Sequence, residues 1–404
     1  MKLTQFKNKI CIYSIVSLGI LSNSFSQIKT NKFGKGIDFV GKDSSFTMNV
    51  GLRFQTLYTN NWDVMSDDLD NIGNHTSNFL LRRSRLKFKG YAFNPKFQYK
   101  IEMALTNRDM SGGNTPNYSN ASRLMLDAVI KWNFAKNLYL WAGQTKLPGN
   151  RERVISSANM QMVDRSRLNS RFTTDRDVGV QLRHKWKLGK QFYIEEVVAF
   201  SQGEGRNITS GNIGGYNYSF KLELQPFGKF ISKGDFSGAD LKREKKPKLG
   251  LGFAYDINDR AGRDRGQLGN FLEVPSTQLK TLNTFFADFM FKFKGFSLMG
   301  EFAHREVSGG DNRVFDEANI EVGRYYTGQA VNLQAGYLLK NNWEPSIRYT
   351  HMDPVSASKE NEYTIGISKY IVGHKLKVQS DLSYREVEAK DDLLFYRIQF
   401  ELHF

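Results

Sequence analysis

Apolar and polar residues alternate at a period of two along most of the chain. Phe46, Met48, Val50, Leu52 and Phe54 are separated by Thr47, Asn49, Gly51 and Arg53. Phe97, Tyr99, Ile101 and Met103 interleave with Gln98, Lys100 and Glu102, and Phe285, Ala287, Phe289, Phe291 and Phe293 with Thr284, Asp288 and Lys292. At the C-terminus, "LLFYRIQFELHF" sets Leu394, Tyr396, Ile398, Phe400, Leu402 and Phe404 on one side. A strand turns successive side chains to opposite faces, so this period predicts strands with one apolar and one polar face. Roughly sixteen such segments can be marked between residues 46 and 404, and no helical period of comparable length occurs.

The connections between segments alternate in length. Asn94-Pro95, Ala135-Lys136-Asn137, Lys294-Gly295, Lys340-Asn341-Asn342 and Val372-Gly373 are short. Stretches near 59–78, 107–121, 147–175, 202–214, 258–278 and 307–326 are long. An even number of two-faced strands, with short turns on one side and long loops on the other, is the pattern of an outer-membrane barrel. The expected fold is therefore all-β: a transmembrane antiparallel β-barrel of about 16 strands over residues 46–404, with short periplasmic turns and long extracellular loops. It must close on itself, because lipid cannot satisfy an open sheet edge. One connection on the short side, 227–246, is longer than the pattern allows and carries a small basic insert, "ADLKREKKPK".

The first residues read as a secretory signal. Lys2, Lys7 and Lys9 precede an apolar run from Ile10 to Leu21, which is too short to span a bilayer, and Ser24-Phe25-Ser26 is a small-x-small cleavage site. Residues 1–26 are the expected signal peptide and 27–45 an N-terminal segment before the barrel. Cys11 is the single cysteine and lies inside the signal, so the mature chain has no disulfide, cysteine ligand or cysteine nucleophile.

Charge then sharpens the function. Lysine and arginine number 57 against 41 acidic residues, a formal net charge of +16, and removing the three lysines of the signal leaves +13. That balance points to an anionic partner. Nucleic acid is a poor fit for an exported barrel, which leaves small anions and anionic lipid, including lipopolysaccharide. The six histidines are scattered without metal spacing, and no local Ser or Thr with His suggests a hydrolase. Asp67, Asp68 and Asp70 form an acidic cluster that reads as a solvated loop. No cofactor or metal is expected, and the chain does not read as an enzyme.

Several stretches resemble the phosphate-selective porin O and P family. "NFLLRRSRLKFKGYAFNPKFQYKIEMAL" resembles its early hairpin, and "LYLWAGQTKLPGNRERVISSANMQMVDRSRLNSRFTTDRDVGVQL" its strand, long loop and returning strand. "LNTFFADFMFKFKGFSLMGEFAHREV", "AGYLLKNNWEPSIRYTHMDP" and "NEYTIGISKYIVGHKLKVQSDLSYREVE" resemble its later hairpins. The resemblance implies a sixteen-stranded, homotrimeric porin that passes anions such as phosphate. The final strand ending in Phe404 resembles the assembly signal of bacterial outer-membrane barrels, which implies the barrel-assembly machinery as a partner.

Pore residues follow from parity and loop position. In "LRRSRLKFKG" (81–90), Arg83, Arg85, Lys87 and Lys89 share the face that would line water, and Leu86 and Phe88 the face toward lipid. Arg53 and Arg123 have matching parity in neighbouring strands, as do Arg183 and Lys185 in the sixth. Arg82 falls on the lipid-side parity and is expected near the membrane edge, where a long side chain can snorkel. The 147–175 loop is the candidate constriction, with Arg151, Arg153, Arg165, Arg167 and Arg171 as candidate anion contacts and Arg176 opening the returning strand. Arginine suits phosphate because its planar fork can bind two oxygens. The alternative is a general or organic-solute porin of the same fold, in which the cations pair with acids such as Glu102, Asp127 and Asp177 and give only a weak anion preference.

Overall fold

A computed structural model describes residues 26–29, 31–65, 70–106, 123–208 and 211–404, with only the backbone path at 26–29. The expected signal segment before Ser26, and Asp67 and Asp68 of the acidic cluster, lie outside the described residues.

Two short strands, β1 (Ser26–Lys29) and β2 (Ile37–Gly41), precede the barrel. Its first half is β3 (Phe46–Val64), β4 (Ile72–Ala92), β5 (Phe97–Ala104), β6 (Met125–Ala135), β7 (Leu138–Lys146), β8 (Arg176–Leu188), β9 (Phe192–Ser201) and β10 (Asn217–Gln225). The second half is β11 (Lys248–Asn258), β14 (Leu282–Phe293), β15 (Phe296–Val307), β18 (Gly328–Tyr337), β19 (Trp343–Pro354), β20 (Glu360–Tyr370), β21 (Leu376–Val387) and β22 (Asp392–His403). Each pairs antiparallel with the next, and β22 pairs with β3 from Asp392↔Val64 to His403↔Arg53, so the sixteen strands close. Beyond the end of β22 at His403, β2 takes over its line and pairs with β3 from Ile37↔Val50 to Val40↔Thr47. The N-terminal hairpin thus extends the periplasmic rim of the seam.

The alternation read from sequence is the alternation of the wall. On β8, Val178, Val180 and Leu182 are exposed outward, whereas Asp177 and Gln181 are buried inward. On β10, Phe220 and Leu222 face out, and Ser219, Lys221 and Glu223 face in. The periplasmic turns are tight: Lys294 and Gly295, with φ of 49° and 94°, join β14 to β15 in the left-handed geometry that two-residue hairpins require.

Arg82 breaks the parity. Gln55 pairs with Arg83 but the next residue, Thr56, pairs with Leu81, so Arg82 is the extra residue of a β-bulge. The extra residue re-aims its side chain inward, where Arg82 Nη2 lies 2.9 Å from Asp164 Oδ1. The lipid-edge placement expected for Arg82 is therefore incorrect: strict period-two counting does not survive an inserted residue.

Four further strands form two hairpins above the extracellular rim, β12 (Arg263–Arg265) with β13 (Leu268–Phe271) and β16 (Arg313–Phe315) with β17 (Glu321–Arg324). They share a small core of Ala261, Leu272, Leu279, Val314 and Tyr325 with the ends of the neighbouring strands.

Candidate functional site

The interior is divided into a filled half and an open half by the 147–175 segment. It contains two short helices, α1 (Arg151–Val154) and α2 (Arg167–Phe172), and one 3-10 turn, Ser157–Asn159. Ser166 caps α2, its hydroxyl accepting from Asn169 N–H at 3.1 Å. Leu168 and Phe172 sink among Ala254, Phe286, Ala303, Ala330 and Met352 on the inner faces of β11, β14, β15, β18 and β19. The three alanines leave the room that the two larger side chains occupy. Arg305 of β15 donates to the carbonyls of Arg171 and Phe172, satisfying helix-end acceptors that have no partner within so short a helix.

Ion pairs and hydrogen bonds fix the rest of the segment to the same wall. Arg151 donates to Asp288 at 2.7 Å and to Glu223 at 2.9 Å, and is 2 % exposed. Glu301 accepts from the Glu152 backbone at 2.6 Å, and Asp381 from that of Val163 at 3.1 Å. Gln161 donates to Ser297 and Glu344 and accepts at its carbonyl from Ser368 and Gln379. These anchors lie on β10 through β21, and fewer contacts, from Arg53 and Arg85 to Ser157 and from Arg82 and Arg83 to Asp164, reach across to β3 and β4, so the segment covers the first wall and leaves space against β4 through β9.

A second inward segment closes the floor of the filled half. Residues 226–247, the long connection on the short-turn side, fold up into the barrel. Lys292 donates to the carbonyls of Gly234, Ser237 and Ala239 at 2.7–2.8 Å, and Asp240 accepts from Gly295 N–H at 2.8 Å. Ser237 Oγ lies 2.8 Å from His374 Nε2, and burial holds that imidazole well below its ordinary pKa. His374 lies in the turn between β20 and β21. The insert meets the 147–175 segment at Gly238, where a β-carbon would come within 2.8 Å of Gln161 backbone nitrogen. Asp235, near Glu223, is pushed up to about 6 by its burial and by that carboxylate. The excess length of 227–246 signalled an insert, but nothing in its composition signalled inward folding.

The open half is a cavity of about 1970 Å³. Twenty-two lysines and arginines line it against nine aspartates and glutamates, among the described residues. Of the residues expected to contact anions, Arg83, Arg85, Lys87, Lys89, Arg153, Arg165, Arg167 and Arg176 line this space. Arg53, Arg123, Arg151 and Arg171 do not. Arg53 is spent in the wall, 2.7 Å from Glu401 and 2.7 Å from Ser157 Oγ. Arg123 precedes β6, Arg151 is tied to Asp288 and Glu223, and Arg171 lies beside Tyr326.

Ten of the cavity cations show two kinds of environment. Arg83 is paired with Asp164, Arg85 with Glu102, Arg153 with Asp175, Arg167 with Glu360 and Arg176 with Asp127. Lys87, Lys89, Lys131, Lys146 and Arg165 have no carboxylate within 4.0 Å among the described residues. Lys146 and Arg165 instead donate to backbone carbonyls of the loop, including that of Ile155 at 3.3 and 2.9 Å. Lys131 and Lys146 were not singled out by sequence, although Lys131 shares the water-facing parity of its strand. Asp177, expected as a lumen partner for cations, accepts from the Gly203 and Val178 backbones instead.

No group of three or more histidine or acidic side chains suited to a metal ion occurs among the described residues. The chemistry available is electrostatic: a wet, net-positive passage with fixed cations.

The relatives agree with this architecture. An uncharacterised protein of Aquifex aeolicus is 24% identical over 360 residues, 81% of each chain. Among solved structures, an anion-selective porin from Comamonas acidovorans is similar with a TM-score of 0.54 and 10% identity, covering 88% of this chain and 100% of that one. The outer-membrane channel DcaP of Acinetobacter baumannii is similar with a TM-score of 0.52 and 13% identity, covering 91% and 100%. At such identities these structures speak to the fold alone. A sequence model of phosphate-selective porin O and P matches residues 54–392. With a closed sixteen-stranded barrel around a wet lumen, and a family match across most of its length, the chain belongs to the phosphate-selective porin O and P family and is an outer-membrane porin.

Proposed function

We propose that the protein is a passive channel for small anions, with inorganic phosphate the principal solute. The observation that carries this reading is the cluster of Lys87, Lys89, Lys131, Lys146 and Arg165, cavity-lining cations without a carboxylate partner among the described residues. Their uncompensated charge lowers the barrier for anions and raises it for cations. Several moderate sites suit conduction better than one tight site, because the solute must also leave. The 147–175 segment acts as the constriction, with Arg153, Arg165 and Arg176 beside the passage. No energy input or cofactor enters the mechanism. Export through cleavage after Ser26, insertion by the barrel-assembly machinery, contact with lipopolysaccharide and assembly as a homotrimer complete the proposal.

The test is a reversal potential in planar bilayers under a potassium chloride gradient, followed by phosphate titration of the chloride current. Anion preference with phosphate block at low concentration is expected. Charge-neutral substitution of Lys87, Lys131 and Arg165 together should move the reversal potential toward zero. An unmoved potential would sink the assignment.

A second reading, a general or organic-solute porin, is favoured by the pairing of Arg83, Arg85, Arg153, Arg167 and Arg176 with acids. Equal passage of chloride and phosphate without block would select it.

A further inference from the structure

The wall between β6 and β9 has a feature that the passage of inorganic phosphate does not require. Tyr139 and Trp141 stand on the water-facing side of β7, and Tyr193 on that of β9, and all three line the cavity. Each of the last two rings is bracketed by cations. Lys131 Nζ lies 3.6 Å from the Trp141 ring centre and Arg183 Cζ 4.0 Å from it. Lys131 is the cross-strand partner of Trp141 on β6, whereas Arg183 comes from β8, opposite Tyr139. The indole therefore stands between cations from its two flanking strands. Lys229 Nζ lies 4.4 Å and Lys187 Nζ 5.5 Å from the Tyr193 ring centre.

An aromatic face holds a cation without cancelling its charge, as a carboxylate would. Lys131 has no carboxylate partner among the described residues, so no acid neutralises it while the indole fixes its position. Tyr139 has no ring or cation contact and no hydrogen bond at its hydroxyl among the described residues. Rings exposed to channel water are of no use to a spherical or tetrahedral inorganic ion, but they offer flat apolar area to a ring. The cavity, about 1970 Å³, has room for a solute of that size.

We propose that this wall is a station for organic anions that carry a flat ring, separate from the arginines of the constriction. The anionic group, a carboxylate or phosphate, meets Lys131, with Arg183, which also pairs with Glu195 at 3.0 Å, as a second and partly neutralised contact, and the ring lies along the indole edge and against Tyr139. The proposal rests on the reading of the channel as an anion porin and names a further class of solute for it.

The experiment measures block of the chloride current in planar bilayers by three probes: phenyl phosphate, methyl phosphate and inorganic phosphate. In the wild type, phenyl phosphate should reach half-block at a concentration about fivefold below that of methyl phosphate, the worth of one ring contact. The double variant Trp141→Leu, Tyr139→Leu should bring the two organic phosphates together, and Trp141→Phe should retain part of the difference. Equal block by phenyl and methyl phosphate in the wild type overturns the proposal, and that comparison needs no variant to fold. So does a ring preference that survives the double substitution. Failure of the anion reading itself is seen separately, as a wild-type reversal potential without anion preference in the same membranes.

Discussion

Asn159 Nδ2 donates to the Phe236 carbonyl at 3.0 Å, and Gly238 N–H donates to the Asn159 carbonyl at 2.8 Å. These two bonds join a segment that descends from the extracellular side to one that rises from the periplasmic side. The filled half of the barrel is thus closed from both ends, and the open half is what remains.

Replacing residues 229–246 with a two-residue Asn-Gly turn should remove the floor of the filled half. Single-channel conductance is expected to rise, while the barrel still folds because none of the sixteen strands is touched. Conductance equal to wild type would show that the insert does not narrow the passage.

Arg151→Met would strand two carboxylates. Among the described residues, Glu223 and Asp288 would keep only Lys221 as a cation partner, at 3.7 and 4.0 Å. Removing one partner from a buried ionic cluster costs about 3 kcal/mol or more. The denaturant midpoint for the barrel refolded in detergent or vesicles should fall accordingly.

Phe172→Ala would empty a fully buried site between Ala254, Phe286 and Ala303. The expected loss is about 3–5 kcal/mol, concentrated in the docking of the segment rather than in the sheet. Current recordings should show frequent excursions to higher conductance as α2 leaves its seat.

Arg82→Leu separates two placements by sign. An arginine facing lipid would gain stability on becoming leucine. Paired inward with Asp164, it should instead lose up to about 1 kcal/mol, since Arg83 still holds that carboxylate at 3.2 Å. The unfolding midpoint decides.

Asp235 gives the channel a pH dependence. Its pKa of about 6 lies above the ordinary 3.8 of an aspartate, raised by burial and by Glu223, while Arg151 pulls it down. A raised folded-state pKa makes the group's stabilising contribution complete below pH 3.8 and lost as pH climbs through 6. In conduction, the carboxylate is neutral below pH 6 and adds a negative charge above it. Anion current should therefore rise between pH 7 and 5 in wild type, and Asp235→Asn should remove that part of the change.

The barrel was legible because its cause is local. A strand in lipid must put apolar side chains out and polar ones in, residue by residue, and Phe220, Leu222, Ser219 and Lys221 carry that instruction in their order alone. The strand number, the turn sides and the inward aim of Arg83, Arg85 and Lys87 follow from the same rule. The rule failed at Arg82, where one inserted residue reset the count, and it had no purchase on segments outside the strands.

What tertiary structure alone decided is which lumen cations remain uncompensated. Arg151 and Arg165 look alike in sequence, fourteen positions apart in one basic loop. Yet Arg151 is held by Asp288 and Glu223, more than seventy residues away, and Arg165 by carbonyls of its own loop. Charge neutralisation works over a few ångströms, and only folding the two inward segments onto one wall sets those distances. The sequence by itself determined a basic, water-lined barrel; the fold decided where within it positive charge stays open to an anion.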